Sequence, residues 1–189
     1  MSGKEDLRII KTRRNIESTF ISLLEKFSFE QITVKKILEN ALISKGTFYA
    51  HYLDKYDLAE KIVMSTLEDF RTGIKERLEL LQAKEPTELW PSLQKTLQTV
   101  LPRLLLLKKI HTDKIDVDRS VKAIIREEYL AFQQKQGNAS KHPALRAQIA
   151  TNLVLGFIEW QSEQPQSVSL QDYVEEVHKL STEYREWLK

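Results

Sequence analysis

The sequence predicts an all-α protein in which an N-terminal three-helix helix-turn-helix segment is joined by a long helix to a helical C-terminal domain. Three observations support this fold class. The 189 residues include only five glycines and five prolines, too few for a β-sandwich or barrel with many tight turns. Apolar residues recur at helical spacing along most of the chain, and no alternating run of five residues indicates a strand. Two short helical segments are separated by a turn of three to four residues, the spacing of a helix-turn-helix.

The N-terminal third is predicted to contain three helices and the start of a fourth. The first spans Leu7–Phe27 and has one apolar stripe. Thr33 is a good N-cap for a second helix, and Ser44 for a third that covers Lys45–Tyr52. Asp54 is the N-cap of a long helix that continues to residue 81. Because the second and third helices are joined so closely, they are expected to cross steeply.

The remaining helices have less regular apolar patterns. Pro91 and Pro102 are expected to kink or break the helical region 90–110, and a polar connection follows at 111–118. Three further helices are predicted: Val121–Gln136, which Gly137-Asn138 ends, Pro143–Glu163 and Leu170–Leu188. The predicted domain boundary separates a helix-turn-helix domain, residues 1–60, from a helical domain, residues 61–189.

Composition and charge exclude several classes of protein. With 41% hydrophobic and 30% charged residues, the chain can bury a core. The absence of cysteine rules out disulfides, iron–sulfur clusters and a thiol nucleophile. The longest uncharged apolar-rich stretch, Ala147–Ile158, is shorter than the roughly 20 residues that span a bilayer. No signal peptide is recognisable, so we expect a soluble, cytoplasmic protein with no membrane association.

Positive charge is concentrated in the N-terminal part of the chain. Residues 1–55 contain ten Lys/Arg and seven Asp/Glu, which gives a net charge of +3. The remaining residues contain nineteen Lys/Arg and twenty Asp/Glu, which gives −1. This bias is mild and by itself does not predict nucleic-acid binding.

The segment Lys45–Tyr52 has an unusual distribution of side-chain sizes when it is placed on a helix. Phe48 and Tyr52 form an aromatic ridge that would pack onto the first two helices, and Gly46 and Ala50 lie nearly opposite. The two flanks of that small-residue face carry hydrogen-bond donors: Lys45, Tyr49, Thr47 and His51. A slim helix face with donors on both sides fits a DNA major groove. An ordinary amphipathic helix whose outer side happens to be small is the alternative interpretation.

These residues also carry a resemblance to a known family. The segments 32–37, 43–52 and 54–58, which read ITVKKI, ISKGTFYAHY and DKYDL, are similar to the DNA-binding domain of the tetracycline-repressor (TetR/AcrR) family. The resemblance covers about Thr12–Met64, a third of the chain. Two residues differ from the family pattern: Leu38 replaces the usual alanine, and Leu42 replaces the glycine of the turn. Because leucine lacks the freedom of glycine at positive φ, the sequence does not determine the geometry of this turn.

The resemblance implies a ligand-controlled transcription factor, usually a repressor, that binds a near-palindromic operator in double-stranded DNA as a homodimer. It also implies that the C-terminal domain binds an effector, although the sequence identifies neither the effector nor its pocket. By position, the DNA contacts would be Thr33, Val34, Lys35, Ser44, Lys45, Gly46, Thr47, Tyr49, His51 and Lys55. Phe48 and Tyr52 correspond to core aromatics of the family.

The two C-terminal helices are predicted to form the dimer interface. The helix 143–163 has apolar residues on two opposed sides, so both sides need cover. One side can face the core of its own domain and the other a second subunit, with the helix 170–188 as its companion. The family, in which the last two helices commonly form the dimer interface, agrees with this assignment. The alternative is that both sides are buried within one chain.

No sequence motif supports catalysis, a cofactor or a metal. The chain has no P-loop and no G-x-S-x-G or G-x-G-x-x-G motif, so we expect no enzyme and no cofactor. The acidic connection 111–118 lacks the glycine and the closing glutamate of a calcium loop, so it is expected to be solvated and to hold no metal. The main alternative function is an all-helical dimeric interaction protein that binds a protein partner instead of DNA.

Overall fold

The computed structural model describes residues 7–83, 86–137, 140–163 and 170–187, and it has the predicted all-α fold. Its helices are α1 (Leu7–Lys26), α2 (Val34–Ala41), α3 (Lys45–Tyr49), α4 (Lys55–Ala83), α5 (Pro86–Leu107), α6 (Val117–Lys135), α7 (Pro143–Glu163) and α8 (Leu170–Trp187). Among the described residues, the only β-type pairing is an isolated antiparallel bridge between Thr112 and Ile115. Asn138, predicted to help end the helix 121–136, and Leu188, the predicted end of the last helix, lie outside the described residues.

The chain forms two compact units. The first contains residues 1–76 and 92–121, and the second contains residues 77–91 and 122–189. Helices α4, α5 and α6 therefore contribute residues to both units. The domain boundary after residue 60 stays a prediction.

The core of the first unit includes the predicted stripe of α1. Its buried residues are Ile16, Phe20, Leu23 and Leu24. Phe27, predicted to end the same stripe, is instead 37% exposed because α1 ends one residue before it. The ammonium of Lys36 lies 4.2 Å from the centre of its ring.

The long helix α4 begins where the sequence predicts. The Oδ1 atom of Asp54 accepts hydrogen bonds from the backbone N–H groups of Tyr56 and Asp57, both at 2.8 Å. Asp57 in turn accepts from the N–H of Leu53 and from the ammonium of Lys61, both at 2.9 Å. These bonds fix the loop before α4 to its first turns.

The helix α5 corrects the expectation of a break at either proline. It runs continuously from Pro86 to Leu107 and contains both Pro91 and Pro102. Leu101, Leu104 and Leu107 are buried around the second proline. This packing favours the helical path and offsets the hydrogen bond that proline cannot donate.

The helix α6 begins at Val117, four residues earlier than predicted, because Asp116 caps it. The Oδ1 atom of Asp116 accepts from the N–H of Arg119 at 2.9 Å. Asp118 pairs with Lys108 at 2.6 Å, so two acids of the polar connection have structural partners. Over the part of the chain that the structure describes, no three His, Asp or Glu side chains are grouped to hold a metal ion. After α6 the chain turns at Gly137, which has φ +62°, as predicted.

In the second unit, α7 and α8 pack through a tyrosine. The hydroxyl of Tyr173 donates to the carbonyl of Leu153 at 2.9 Å, and its ring centre lies 5.2 Å from that of Phe157. A Cβ atom on Gly156 would lie only 3.2 Å from the Tyr173 hydroxyl, so this approach favours glycine. Of the helices in the described ranges, none is both long and apolar enough to cross a membrane.

Candidate nucleic-acid interface

Two side-chain caps define α2 and α3, as the sequence predicts. The Oγ1 atom of Thr33 accepts from the N–H of Lys36 at 3.2 Å. The Oγ atom of Ser44 accepts from the N–H of Thr47 at 3.1 Å and lies 2.9 Å from the hydroxyl of Thr47. Both helices therefore begin at fixed residues, and the hydroxyl of Thr47 is held next to the cap.

The turn between α2 and α3 forms despite its leucine. Leu42 has φ 55° and ψ 44°, the left-handed conformation, and its N–H donates to the carbonyl of Leu38. The N–H of Ile43 donates to the same carbonyl at 3.2 Å. Among the described residues, Leu42 is the only one other than glycine with positive φ, and it is 91% exposed. A left-handed leucine costs about 1 kcal/mol, which the turn has to offset.

The recognition segment, residues 44–52, contains a shorter helix than predicted. The sequence predicts helix over Lys45–Tyr52, whereas α3 ends at Tyr49. The N–H groups of His51 and Tyr52 both donate to the carbonyl of Phe48, at 2.9 and 3.0 Å. Because two donors share one acceptor there, the helical hydrogen-bond series ends and the chain turns towards α4.

The predicted orientation of the recognition segment is confirmed. Phe48 is fully buried and Tyr52 is 2% exposed, with ring centres 5.8 Å apart. Gly46 and Ala50 are exposed on the outside. The small residues therefore face solvent, and the two rings anchor the segment from behind.

A hydrogen bond attaches this aromatic anchor to α1. The hydroxyl of Tyr52 donates to Oε1 of Glu17 at 3.0 Å. Burial and the carboxylate of Glu17 raise the pKa of Tyr52 above its ordinary value. The phenol therefore stays protonated and remains a donor over the physiological pH range.

Glycine at position 46 is not required by the packing of this chain. A Cβ atom built there would approach only Oγ of Ser44, at 3.8 Å, an ordinary contact distance. Its φ is not in the left-handed region either. An advantage of having no side chain at this position would therefore come from a partner that approaches α3 closely.

The hydrogen-bond donors on the two flanks of α3 differ in their exposure to solvent. Lys45 is exposed, and its ammonium lies 5.9 Å from the ring centre of Tyr49. Tyr49 is 47% exposed and packs edge-on against Phe48. Thr47 and His51 are half-buried. Lys45 and Tyr49 therefore form one accessible flank, while Thr47 and His51 are more restricted.

At the start of α2, three residues were predicted to contact DNA. Thr33 and Lys35 are exposed, and Val34 is half-buried. The ammonium of Lys35 lies 3.9 Å from the carboxylate of Glu39, in a solvent-exposed pair that costs little to break. Lys35 is therefore available to an incoming phosphate.

The ammonium of Lys55 contacts the loop between α1 and α2. It donates to the carbonyls of Phe29 and Glu30, at 2.9 and 3.4 Å, and lies 4.5 Å from the ring centre of Phe29. Burial lowers the pKa of Lys55, and the nearby carboxylate of Glu30 opposes that shift. In this structure Lys55 holds the loop between α1 and α2, and its contact with DNA stays a prediction.

Two residues of α1 that the sequence pattern does not indicate, Glu17 and Asn15, support the interface. Glu17 bonds Tyr52, as described above. The side-chain amide of Asn15 donates to the carbonyl of Ala41, the last residue of α2, at 2.8 Å. No local pattern marks these residues, because their partners are 35 and 26 residues away along the chain.

Comparison with known proteins supports the fold. A transcriptional regulator of the TetR/AcrR family from Aquifex aeolicus has a similar structure, with TM-score 0.59 and 22% identity over 90% of this chain and 98% of that one. Reduced NemR of Escherichia coli aligns with TM-score 0.54 and 20% identity over 89% of this chain and 97% of NemR. In sequence, the chain is 32% identical over 59 residues to the HTH-type transcriptional regulator YxbF of Bacillus subtilis, a match that spans 31% of this chain and 16% of YxbF. No family model matches the chain.

The geometry and these comparisons together define the class of protein. The chain is an all-α helix-turn-helix protein. More particularly, it has the fold of TetR/AcrR regulators, so the resemblance found in the recognition segment extends to the fold of most of the chain.

Proposed function

We propose that this chain is a DNA-binding transcriptional regulator of the TetR/AcrR type that acts by binding, not by catalysis. The observation that carries the proposal is the outward face of α3. Gly46 and Ala50 are exposed there, a donor-bearing flank lies beside them, and the anchoring rings of Phe48 and Tyr52 are buried. Such a surface can approach base edges without steric obstruction.

In this proposal eight of the ten predicted contacts divide by role, while Gly46 leaves room for the bases and Lys55 stays a predicted backbone contact. Lys45 and Thr47 would read base edges. Thr33, Lys35, Ser44 and Tyr49 would contact phosphates, together with the exposed N–H groups at the start of α3. Half-buried Val34 and His51 would contribute at the edges of the contact area.

We further propose that the protein binds a near-palindromic operator as a cytoplasmic homodimer. Two recognition segments, one per subunit, would occupy major grooves about 34–36 Å apart or a multiple of that distance. The last two helices expose an apolar surface that a second subunit could cover. Its members are Leu145, Ile149, Leu153 and Trp160 of α7 and Val174, Leu180, Tyr184 and Trp187 of α8.

Residues 1–60 would be the DNA-binding domain, and residues 61–189 would provide dimerisation and the response to an effector. We propose a repressor that a small molecule releases from DNA, as the resemblance implies. Such a molecule can shift the equilibrium only by its different affinity for the DNA-binding and non-binding states.

Selection of binding sites from random double-stranded DNA, followed by fluorescence anisotropy at several salt concentrations, tests the proposal. We expect a salt-sensitive complex with a near-palindromic site. Lys45→Ala should weaken specific binding by about 1–3 kcal/mol if this side chain reads a base. The control Lys122→Ala removes an exposed lysine of α6 and should leave binding unchanged.

A protein that binds only a protein partner would behave differently. It would select no sequence, and Lys45→Ala would not affect its weak association with DNA. That result would replace the regulator with the interaction protein.

A further inference from the structure

A groove of about 530 Å³ lies between α1 and α5 within the first unit. Its α1 wall includes Arg14, Ser18 and Ile21, which are three to four residues apart and so lie on one side of the helix. Its α5 wall includes Arg103 and Leu106. This volume lies within the range of small-molecule sites in proteins.

One hydrogen-bond donor of a residue that lines the groove lacks an acceptor. The Nε atom of Arg103 is buried and has no hydrogen-bond partner. Buried donors are almost always bonded, so the position calls for an acceptor. A guanidinium is best satisfied by a carboxylate or a phosphate, which can accept two parallel hydrogen bonds.

Two carboxylates, those of Glu17 and Glu25, and two guanidiniums, those of Arg14 and Arg103, line the groove, so the net charge of the lining does not by itself select a ligand. The carboxylate of Glu17 already accepts the hydroxyl of Tyr52, and Glu25 is exposed to water. The unmet requirement is therefore for an acceptor, and Arg14 adds a second guanidinium to the lining. Apolar side chains complete the groove: Ile21, Pro102 and Leu106.

We propose that this groove is a binding site for a small organic anion, in which a carboxylate or phosphate is attached to a short apolar group. The anionic group bonds Arg103, and the apolar part packs between Ile21 and Leu106. Arg103 both fixes the ligand and selects its charge.

A single hydrogen bond connects the lining of the groove to the recognition segment. Glu17 lines the groove and also holds Tyr52, whose ring packs against Phe48 of α3. An anion beside Glu17 therefore changes the electrostatic environment of the bond that anchors α3. Binding in the groove changes operator affinity through this bond, a consequence that rests on the proposed function.

Methyl NMR titration of the full chain tests the site without DNA. The probes are hexanoate, hexyl phosphate and hexylammonium, which share one apolar chain and differ in charge. We expect saturable shifts of Ile21 and Leu106 with at least one of the two anions and none with the cation. Arg103→Gln should raise the dissociation constant at least about tenfold, the effect of one lost charge-assisted hydrogen bond. The control is Arg126→Gln, which removes an arginine of α6 that bonds Gln148 of α7, outside the groove. It should leave affinity unchanged.

The outcomes separate this proposal from the proposed function. The site would be overturned by the absence of saturable binding of both anions, by equal binding of hexylammonium, or by unchanged affinity in folded Arg103→Gln. If an anion binds and changes operator affinity in the wild type but not in Tyr52→Phe, the coupling is supported; if the change is the same in both proteins, the coupling through this bond is wrong. If an anion binds and the chain selects no DNA sequence, the site stands and the regulator proposal fails.

Discussion

At the scale of single residues, Gly46 separates folding from DNA binding. Nothing within the chain limits the size of its side chain, since the nearest atom to a built Cβ is Oγ of Ser44 at 3.8 Å. We expect Gly46→Leu to raise the free energy of unfolding by about 0.5 kcal/mol, because leucine is the better helix former. The same change should weaken operator binding at least about tenfold, because the added bulk keeps α3 away from the bases.

Chemical denaturation and fluorescence anisotropy measure the two effects. The matched control is Gln134→Leu, which adds a leucine at an exposed position of α6 and should leave DNA affinity unchanged. Wild-type affinity in Gly46→Leu would mean that the small face of α3 does not enter a groove.

Lys55 and Lys45 are predicted to differ in what their ammonium groups do. The ammonium of Lys55 bonds two loop carbonyls, whereas that of Lys45 is exposed near Tyr49. Lys55→Met should therefore lower the free energy of unfolding by about 1 kcal/mol, a value reduced for its partial exposure, and leave the salt dependence of DNA binding unchanged. Lys45→Met should leave stability unchanged.

Denaturation curves and the slope of log K against log salt test this pair. If Lys45 contacts a phosphate, its loss reduces that slope by about one. The same reduction in Lys55→Met would show that its ammonium leaves the loop and binds a phosphate, as the resemblance to the family implies.

At the scale of elements, the hydrogen bond between Tyr52 and Glu17 makes the attachment of the recognition segment dependent on pH. Burial and the Glu17 carboxylate raise the pKa of Tyr52 in the folded state above its unfolded value near 10. The unfolded chain then loses its proton first as the pH rises. The stabilising contribution is complete below about pH 10 and is lost as the pH rises towards the folded pKa.

We expect Tyr52→Phe to lose about 1 kcal/mol of stability at neutral pH and to show a smaller further loss above about pH 10. Denaturation at several pH values measures both effects. Tyr56→Phe, which removes an exposed phenol at the start of α4, is the control. A wild-type pH profile in Tyr52→Phe would contradict the assigned role, and a residual alkaline loss is expected because burial also raises the pKa of Tyr173.

The sequence predicted those features of the elements that depend on neighbouring residues. The caps Thr33, Ser44 and Asp54 form as predicted, because a cap bonds N–H groups only two or three residues away. The burial of Phe48 and Tyr52 also follows from helical spacing. The early end of α3 at Tyr49 does not, since it depends on how the chain turns into α4.

Features that depend on distant partners were not predictable. The ammonium of Lys55 bonds loop carbonyls 25 and 26 residues away along the chain. Local rules also overestimated the effect of Pro102, because they omit the burial of the neighbouring α5 leucines. Local sequence patterns therefore predict the candidate DNA-binding face but not the bonds of Lys55 to the loop between α1 and α2.

At the scale of the whole molecule, the proposal requires a dimer, because two recognition segments are needed to read a near-palindromic site. The apolar surface of α7 and α8 is the candidate interface. Ile149 is 52% exposed on α7, and Trp187 is 81% exposed on α8. Large apolar side chains exposed on two packed helices are typical of a surface that a partner covers.

Ile149→Glu tests whether that partner is a second copy of this chain. A carboxylate buried without a partner opposes association, so we expect the dimer dissociation constant to rise at least about a hundredfold. Light scattering coupled to size-exclusion chromatography should then show a monomer, while the helical circular dichroism spectrum is retained. Operator affinity should fall when the dimer is lost, because each monomer reads only one half-site. The control Gln134→Glu places the same charge at an exposed position of α6 and should remain dimeric. An Ile149→Glu protein that still dimerises and binds its operator normally would show that α7 is not the interface.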